Sequence, residues 1–422
     1  MTYPDPANTS RASAGGSAYA GRMTGPDPNL ATAETAPVGA SIAEADITGL
    51  AHGGDGVCRL EGRVCFVPYA LPGDRVRIAL GAATKGILRG RIVEVLSPSP
   101  HRAQAGCGVF GRCGGCTWLH FAYPAQLEWK ARIVSDCLER IGKISAQVQT
   151  IEDPALRLGY RTRATFRSDG QRWGFYEAGT HDLVDIASCP LCHPKLNAAL
   201  GALRTLEVTG PVEVVVNPSG AEVMVYTATE QPALRETFPA YNTRDDGERV
   251  AFWHEGAPIV NGSFSQSSLL LNRLLVEKVH ALAAGASRVL DLYCGNGNLS
   301  RGLADAVEVH GMDSSPHGIA AAQLNTKAHY ARGDERGFAQ LIGEGPWDAI
   351  IVDPPRTGAK AIANALAGAK AGQIVYVSCD PATFARDAAV LVAGGWSLSE
   401  CTVIDLFPNT FHIETVGLFQ CV

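Results

Sequence analysis

The stretch RVLDLYCGNGN, residues 288–298, decides the fold, because it changes from an apolar strand to a glycine-containing turn. Its continuous apolar start is typical of a strand that is buried on both faces of a parallel sheet. Gly295 and Gly297 permit a tight turn in which the backbone approaches a ligand closely, and a helix is expected next. Position 300 is Ser, so the third glycine of a dinucleotide fingerprint is missing and an NAD site is disfavoured.

The chain on both sides of this stretch alternates between apolar strands and alanine-rich helical segments. A helix from Ser267 to Ala284 precedes it. This alternation predicts an α/β fold with a doubly wound parallel sheet over residues 261–422, whose ligands bind at the carboxyl ends of the strands. The expected strands cover residues 288–293, 308–313, 347–352, 373–378 and 402–407.

Acidic residues stand where several of these strands end. Asp313 closes the second strand, Asp334 follows Gly333, and Asp353 opens the turn DPPRTG at residues 353–358. Each acid alone could be a helix cap. Together with the turn at Gly295, their order resembles the S-adenosylmethionine (SAM) site of class I methyltransferases. That resemblance places the acids near the ribose, the adenine and the methyl donor.

Cys379 lies in IVYVSCDPAT, residues 374–383, where an apolar strand gives way to an Asp-Pro turn. A buried cysteine is a common core residue. Its position at the carboxyl end of a strand nevertheless favours a nucleophile.

The residues around Cys379 fit chemistry at C5 of uracil. That carbon is too weak a nucleophile to attack a methyl group unaided, whereas thiolate addition at C6 makes an enolate whose C5 can attack. A general base must then remove the C5 proton, so that the thiol can leave. Glu414, which ends FPNTFHIE at residues 407–414, is the expected base, with a solvated loop charge as the alternative.

The rest of the chain divides into three further regions. Residues 1–40 have the composition of a disordered tail. Residues 41–98 are expected to form a β-barrel of the oligonucleotide-binding kind, and residues 99–260 an α+β central domain that includes a helix at 124–142. The basic residues of the barrel suit a phosphate backbone and fit a solvated surface equally well: Lys85, Arg89 and Arg91.

Cysteine usage indicates a metal site rather than disulfides. The chain has twelve cysteines and no recognisable signal peptide, so a cytoplasmic protein with reduced thiols is expected. Cys107, Cys113 and Cys116 lie close together, and Cys189 or Cys192 supplies a remote fourth ligand. This set could hold zinc or an iron–sulfur cluster, and the spacing alone does not choose between them.

Charge alone decides little about an RNA partner, and hydropathy argues against a membrane span. The net charge is −6, but residues 101–167 hold ten Lys and Arg against five acids, and residues 280–422 hold nine against fourteen. A basic centre is compatible with a phosphate-binding face, and equally with a solvated surface. No apolar run approaches the length of about 20 residues that a membrane span needs.

These motifs together resemble the RNA uracil-C5 methyltransferase family, and specifically its iron–sulfur 23S ribosomal RNA branch, over about residues 43–422. The resemblance implies a TRAM-like barrel, SAM and a [4Fe-4S] cluster as cofactors, RNA as partner and no obligate protein partner. The motifs that carry it are CGVFGRCGGCTWLH (107–120), GYRTRA (159–164), SFSQ (263–266), DLYCGNGN (291–298), DPPRTG, VYVSCDPATFARD (375–387) and FPNTFHIE.

The resemblance also implies residue roles. It makes Cys379 the nucleophile and Glu414 the base, and it places Arg161 and Arg163 opposite RNA. It prefers Cys189 to Cys192 as a cluster ligand, because the family's fourth ligand precedes a proline. The implied SAM contacts are Gln266, Tyr293, Asn298, Asp313, Asp334 and Asp353, and the implied cluster ligands are Cys107, Cys113, Cys116 and Cys189.

Some positions depart from the family pattern, and two other functions stay open. Asp313 stands where Glu is usual, Asp380 replaces the usual Asn beside the nucleophile, and Asn409 replaces a common His. Thr117 and Trp118 also differ from the usual residues. The alternatives are a transfer-RNA uracil methyltransferase, whose family members usually lack the cysteine cluster, and a non-catalytic RNA-binding or assembly factor.

Overall fold

The computed structural model describes residues 41–247 and 249–421. The tail expected at residues 1–40 lies outside the described residues. Four sheets organise the described chain, with six, six, two and eight strands. No helix in the described part of the chain is both long and apolar enough to cross a membrane.

The N-terminal region is a six-stranded sheet in the order β1-β5-β6-β4-β3-β2. Its inner residues form a separate hydrophobic core that includes Val67, Val76 and Ile78. The strand β1 also contacts β3, so the sheet curls round this core, as the predicted barrel requires. The strands are β1 (Ile42–Asp46), β2 (Gly49–Leu50), β3 (Gly56–Leu60), β4 (Arg63–Val67), β5 (Arg75–Leu80) and β6 (Leu88–Ser97).

The next segment packs against the C-terminal domain before the central sheet begins. It contains α1 (Tyr123–Cys137), a π-helical turn (Leu138–Gly142) and β7 (Val148–Ile151). The apolar face of α1 packs on the core of the C-terminal domain, and β7 pairs in parallel with that domain's edge strand. This part of the predicted central region is therefore built into the C-terminal sheet.

The central sheet has the order β10-β9-β8-β11-β12-β13 and is antiparallel except for its last pair. Two helices and a hairpin complete the region. Its elements are a 3-10 turn (Pro154–Leu156), β8 (Arg163–Asp169), β9 (Trp173–Tyr176), β10 (Leu183–Asp185), α2 (Pro194–Leu203), β11 (Thr209–Val216), β12 (Val223–Thr227), α3 (Pro232–Thr237), β13 (Ala240–Thr243), β14 (Ala251–His254) and β15 (Ala257–Val260).

The C-terminal domain contains a sheet of eight strands in the order β18-β17-β16-β19-β20-β22-β21-β7. The chain adds strands outward from β16 in both directions, which places a crevice at the carboxyl ends of β16 and β19. The elements are α4 (Leu269–Leu282), β16 (Arg288–Leu292), a 3-10 turn (Arg301–Leu303), β17 (Glu308–Asp313), α5 (Pro316–Ala322), β18 (His329–Arg332), α6 (Glu335–Gly343), β19 (Trp347–Val352), α7 (Ala363–Ala367), β20 (Ala371–Ser378), α8 (Pro381–Ala393), β21 (Trp396–Ile404) and β22 (Glu414–Cys421).

The α/β fold class is confirmed, and three details of the sequence prediction are wrong. The last predicted strand, 402–407, is displaced, because the chain leaves β21 after Ile404 and forms a loop. The strand β22 was not predicted, and it runs antiparallel to both neighbours. The expected helix after the glycine turn is only a 3-10 turn at residues 301–303.

Candidate active site

Cys379 directly follows β20 and precedes α8. Asp380 is the N-cap of that helix: its Oδ1 accepts hydrogen bonds from the amides of Ala382, at 3.0 Å, and Thr383, at 2.9 Å. Pro381 suits the first turn of a helix, where its missing N–H needs no partner. The Asp-Pro pair therefore converts the strand into a helix at once and fixes the backbone next to Cys379.

The antiparallel strand β22 brings Glu414 to the same edge of the sheet as Cys379. Ser378, the last residue of β20, is paired with Thr415 of β22. One position further outward on each strand stand Cys379 and Glu414, and directly opposed residues of an antiparallel pair lie on the same face. The strand that was missed in the sequence thus places the predicted nucleophile and base side by side.

Burial and neighbouring carboxylates disfavour ionisation at this edge. Desolvation, followed by the charges of Glu414 and Asp353, raises the pKa of the Cys379 thiol to about 11, against the lowering effect of Arg356. Glu414 is 3% exposed, and desolvation together with Asp353 raises its pKa well above the usual range. Desolvation and the charge of Asp313 raise the pKa of Asp353 to about 7. The resulting cluster of perturbed groups is typical of a catalytic site.

The loop between β21 and β22, residues 405–413, is held by polar side chains of α1. Lys130, which is fully buried, donates to Oδ1 of the buried Asp405 at 2.7 Å and to the carbonyl oxygen of Phe407 at 3.0 Å. Gln126 Nε2 donates to Asn409 Oδ1 at 3.1 Å, and Asn409 N donates back to Gln126 Oε1 at 2.9 Å. The first part of the loop that leads to Glu414 is therefore fixed to α1.

His412 lies on the same loop, but its pKa is lowered, which makes it a weak base. Desolvation and the charge of Arg356 lower its pKa to about 4, so its ring is neutral near pH 7. It stacks at 4.4 Å, between ring centroids, against Phe411. A packing role is consistent with this position.

The crevice between β16 and β19 contains the first group of residues predicted to bind SAM. Tyr293 follows β16 with a φ of 61°, and Asp353 follows β19. Asp313, at the end of β17, accepts a hydrogen bond from Gly295 N at 3.0 Å. A Cβ at Gly295 would meet no atom within 4 Å, so the turn has open space beside it. The turn and these side chains therefore lie together at the carboxyl ends of neighbouring strands, where a SAM site is expected.

Two of the other three predicted SAM contacts, Asn298 and Asp334, have partners within the protein. Asn298 and Asn272 of α4 exchange two hydrogen bonds, at 2.7 and 2.9 Å. Asp334 is exposed and caps α6 by accepting from Arg336 N and Gly337 N. Gln266 is half-buried between β15 and α4. For Asp334, the alternative of a helix cap is thus realised in the structure.

The cysteines that were predicted to bind a metal line one cavity of the central region. Cys107, Cys113, Cys116 and Cys189 all border it, whereas Cys192 is absent from its lining and is 2% exposed. Within the described residues, no three or more His, Cys, Asp or Glu side chains are arranged to hold a metal ion. The structure therefore gathers the donor set without showing a metal site.

The chemistry of this cavity nevertheless fits a thiolate-bound group. Gly115 N donates to Cys113 Sγ at 3.4 Å, and hydrogen bonds from Cys192 and neighbouring backbone amides lower the pKa of Cys189, whereas burial raises the pKa of Cys113 and Cys116. A Cβ at Gly114 would lie 3.1 Å from the carbonyl oxygen of Tyr176. The two glycines thus permit the close wrapping that the sequence suggested.

Arg161, which the resemblance placed opposite RNA, lines this cavity. Its Nε is buried and has no hydrogen-bond partner within the described chain, and its Nη2 lies 3.5 Å from the carbonyl oxygen of Gly115. Arg163 is also largely enclosed, because it pairs with Glu213 at 2.6 Å. The positive charge of residues 101–167 is therefore partly internal: Arg102 and Lys130 are buried in ion pairs as well.

Comparison with known proteins agrees with this architecture. Residues 40–93 match the TRAM domain family, residues 260–371 the methyltransferase small domain, and residues 329–421 the family described as tRNA (uracil-5-)-methyltransferase. The crystal structure of Pyrococcus abyssi tRNA (uracil-54, C5)-methyltransferase with S-adenosyl-L-homocysteine has a TM-score of 0.73 and 25% identity, covering 89% of this chain and 99% of that one.

Two curated relatives carry the name 23S rRNA (uracil(1939)-C(5))-methyltransferase RlmD. The Chromohalobacter salexigens protein is 32% identical over 87% of this chain and 87% of its own. The Thiobacillus denitrificans protein is 32% identical over 89% of this chain and 99% of its own. An uncharacterized RNA methyltransferase of Nitratidesulfovibrio vulgaris is also 32% identical, over 89% of this chain and 95% of its own.

A TRAM domain joined to this sheet and crevice defines a SAM-dependent RNA methyltransferase. The similarity over nearly the whole chain is more specific: the protein belongs to the RNA uracil-C5 methyltransferase family, as its motifs indicated.

Proposed function

We propose that the protein methylates C5 of a uridine in 23S ribosomal RNA, with Cys379 as nucleophile and Glu414 as general base. The observation that carries the proposal is the juxtaposition of these residues at the end of β20 and the start of β22. The RNA assignment is supported by the names of the two RlmD relatives.

Cys379 and Glu414 carry the covalent and proton-transfer steps. The Cys379 thiol gives its proton to solvent, and its sulfur bonds to C6 of the uracil, which makes C5 a nucleophile. SAM, when bound, would supply the methyl group that C5 attacks and would leave as S-adenosylhomocysteine. The Glu414 carboxylate then takes the C5 proton, and the C6–S bond breaks to release the methylated base. The raised pKa makes the Glu414 carboxylate a stronger base once it is ionised, and its ionised fraction increases with pH.

The residues proposed to hold SAM surround the crevice at the carboxyl ends of β16, β17 and β19. Tyr293 and Asp353 directly follow β16 and β19, and Asp313 ends β17 and accepts from Gly295 N of the glycine turn. In addition to desolvation, the charge of Asp313 raises the pKa of Asp353, and that of Asp353 raises the pKa of Glu414, so the proposed SAM site and the proposed base lie near each other. The full proposed set is Gln266, Tyr293, Asn298, Asp313, Asp334 and Asp353.

RNA binding is proposed for the barrel and for one exposed aromatic residue. Arg89 is 72% exposed at its side chain, and Lys85 lies in the exposed turn before the same strand. Phe264 is 75% exposed, with the guanidinium of Arg163 5.8 Å from its ring centroid. Such a ring can stack on a base of a single-stranded segment, while the target uridine is flipped towards Cys379.

We also propose that Cys107, Cys113, Cys116 and Cys189 hold a [4Fe-4S] cluster with a structural role, since the methyl transfer needs no electron. Four thiols and the buried Arg161 guanidinium suit a group with net negative charge. Iron and sulfide analysis of anaerobically purified protein tests this. Cys116→Ser should lose iron, whereas Cys192→Ser, the matched control outside the cavity lining, should retain it. Stoichiometric zinc without iron would contradict the cluster.

Trapping on RNA tests the main proposal. A 23S fragment that contains 5-fluorouridine at the target should form a stable covalent adduct with the wild type plus SAM. The base cannot remove the C5 fluorine as it removes a proton, so the C6–S bond persists. Cys379→Ala should form none while still binding RNA. Absence of an adduct with any ribosomal or transfer RNA would contradict the proposal and favour a non-catalytic RNA-binding factor.

A transfer RNA substrate is the second candidate. The similarity to the Pyrococcus abyssi tRNA enzyme over 89% of this chain favours it. Mapping 5-methyluridine in 23S and transfer RNA from cells with and without the gene separates the two. Loss of the mark in 23S RNA alone supports the ribosomal assignment.

A further inference from the structure

The loop between β2 and β3, residues 51–55, reaches from the barrel to the candidate active site; we name it the barrel loop. His52 Nε2 lies 3.0 Å from Asp380 Oδ2, with side chains 37% and 26% exposed. Two residues further on, the carbonyl oxygen of Gly54 accepts a hydrogen bond from Trp118 Nε1 at 3.1 Å. This short loop therefore contacts two different parts of the chain outside the barrel.

The contact with Asp380 joins the barrel to the turn that carries Cys379. The two carboxylate oxygens of Asp380 serve different elements, since Oδ1 caps α8 and Oδ2 contacts His52. A rotation of the carboxylate would break both interactions together. His52 thus helps to hold the Asp380 side chain that fixes the backbone next to Cys379.

The contact near Gly54 joins the same loop to the segment that leads to Glu414. Gly54 has a φ of +87°, and a Cβ there would lie only 2.6 Å from Cβ of Phe411. Only glycine permits this approach without displacement of the Phe411 ring. The barrel loop therefore contacts Asp380, which follows Cys379, and Phe411, which lies three residues before Glu414.

From these contacts we infer that His52 is a positioning residue for the methyl transfer. It couples the barrel to the orientation of Cys379 through Asp380. RNA that binds the barrel therefore contacts a domain that is joined, through His52 and Asp380, to α8, the helix next to Cys379. The inference rests on the proposed function, because it assumes that Cys379 attacks the base.

The kinetic test uses the full-length protein and RNA that contains 5-fluorouridine. His52→Ala should slow adduct formation at saturating RNA by about tenfold, the scale expected when a hydrogen bond to a charged group is lost. Its RNA dissociation constant, from fluorescence anisotropy, should stay within about twofold. His101→Ala, an exposed histidine outside the site, is the matched control and should change neither quantity.

A second set of variants separates positioning from a general loss of structure. His52→Gln retains a side-chain amide that can donate to Asp380, and should recover most of the rate. Asp380→Ser keeps an oxygen that caps the helix but is too short to reach His52. In that background, His52→Ala should have little further effect, because the two residues act as one unit.

Hydrogen exchange supplies a readout that does not depend on catalysis. His52→Ala should increase amide exchange at residues 51–55 and 381–384, and leave β16 and β19 unchanged. Independent, multiplying effects of His52→Ala and Asp380→Ser would overturn the inference, as would a change in RNA affinity alone. If the wild type forms no adduct, the proposed function fails, and unchanged exchange would separately refute the contact's role.

Discussion

At the scale of single residues, the charges around the Cys379 sulfur control the reactivity of its thiol. Two carboxyl groups and burial oppose thiolate formation, and Arg356 is the cation that favours it. The raised pKa of about 11 means that the protein holds the thiol protonated near neutral pH. The reactive form therefore increases as the pH rises towards that value.

Arg356 should control this pH dependence. With the wild type, the rate of adduct formation on 5-fluorouridine RNA should increase by about tenfold per pH unit between about pH 7 and 9, because the thiolate fraction does so. Arg356→Gln should lower the rate at pH 8 by about threefold to tenfold, and Arg356→Lys should keep most of it. Stopped-time gel assays measure these rates. A flat profile for the wild type would show that the thiol is already ionised in the RNA complex.

Glu414→Gln should separate methyl transfer from product release. The amide keeps the size of the buried side chain but cannot accept the C5 proton, so the C6–S bond should persist after methylation. General bases contribute about 10²–10⁴-fold, and release should slow by that order. Ordinary uridine RNA and labelled SAM should then give a labelled covalent adduct on a denaturing gel. Rapid turnover with no adduct would assign the base to another residue.

The sequence predicts which residues are the candidate nucleophile and base, but it does not predict the residues that surround them. Cys379 and Glu414 stand in motifs that show their chemistry, whereas the contact between His52 and Asp380 joins positions 328 residues apart. No local pattern indicates such a pair. The role of Asp380 as an N-cap was accessible, because Asp followed by Pro is a common start of a helix. The burial of the Arg161 Nε could not be predicted from the sequence, since a guanidinium in a basic stretch is usually solvated.

At the scale of elements, the strand β22 and the loop before it determine where Glu414 lies. Leu406 and Phe407 are apolar and follow an apolar strand, which is why the sequence extends that strand to residue 407. The structure ends that strand at Ile404, because Asp405 turns inward to the buried Lys130. The pairing of two residues 275 positions apart overrides the local preference, and periodicity alone cannot reveal it.

Asn409 should be important for the loop through both its backbone and its side chain. Its φ is 65°, a region that Asn tolerates and that most other residues avoid, and its side chain bonds Gln126 and the carbonyl oxygen of Arg157. Asn409→Gly keeps the backbone conformation and should cost about 1–3 kcal/mol through buried groups left unpaired. Asn409→Ala should cost about 1 kcal/mol more.

Urea denaturation followed by tryptophan fluorescence measures both variants of Asn409. An exposed asparagine position, Asn325, has a φ of 46° and serves as the control, because Asn325→Ala should show only the backbone cost. Equal stability of Asn409→Gly and the wild type would mean that the contacts with Gln126 and Arg157 contribute nothing net.

At the scale of the whole molecule, the barrel is joined to the rest by a buried ion pair and by the barrel loop. Asp74 has a fully buried side chain and accepts from Arg102 Nε at 2.8 Å and Nη2 at 2.7 Å, and from the amides of Leu71 and Ser99. Arg102 also donates to the carbonyl oxygen of Tyr69. The sequence predicts the barrel and the catalytic sheet as separate units, but it cannot predict these contacts between them.

Arg102→Met should loosen the barrel without unfolding the catalytic sheet. Removal of one partner of a buried ion pair costs about 3–5 kcal/mol, and the two amides that remain on Asp74 should reduce that cost. Limited proteolysis should then release the barrel at residues 98–102, and RNA should bind less tightly by anisotropy. Arg75→Met removes an exposed pair with Glu44 and should leave both unchanged. If RNA affinity survives while proteolysis accelerates, the barrel binds RNA as an independent module and its attachment serves only the positioning of Cys379.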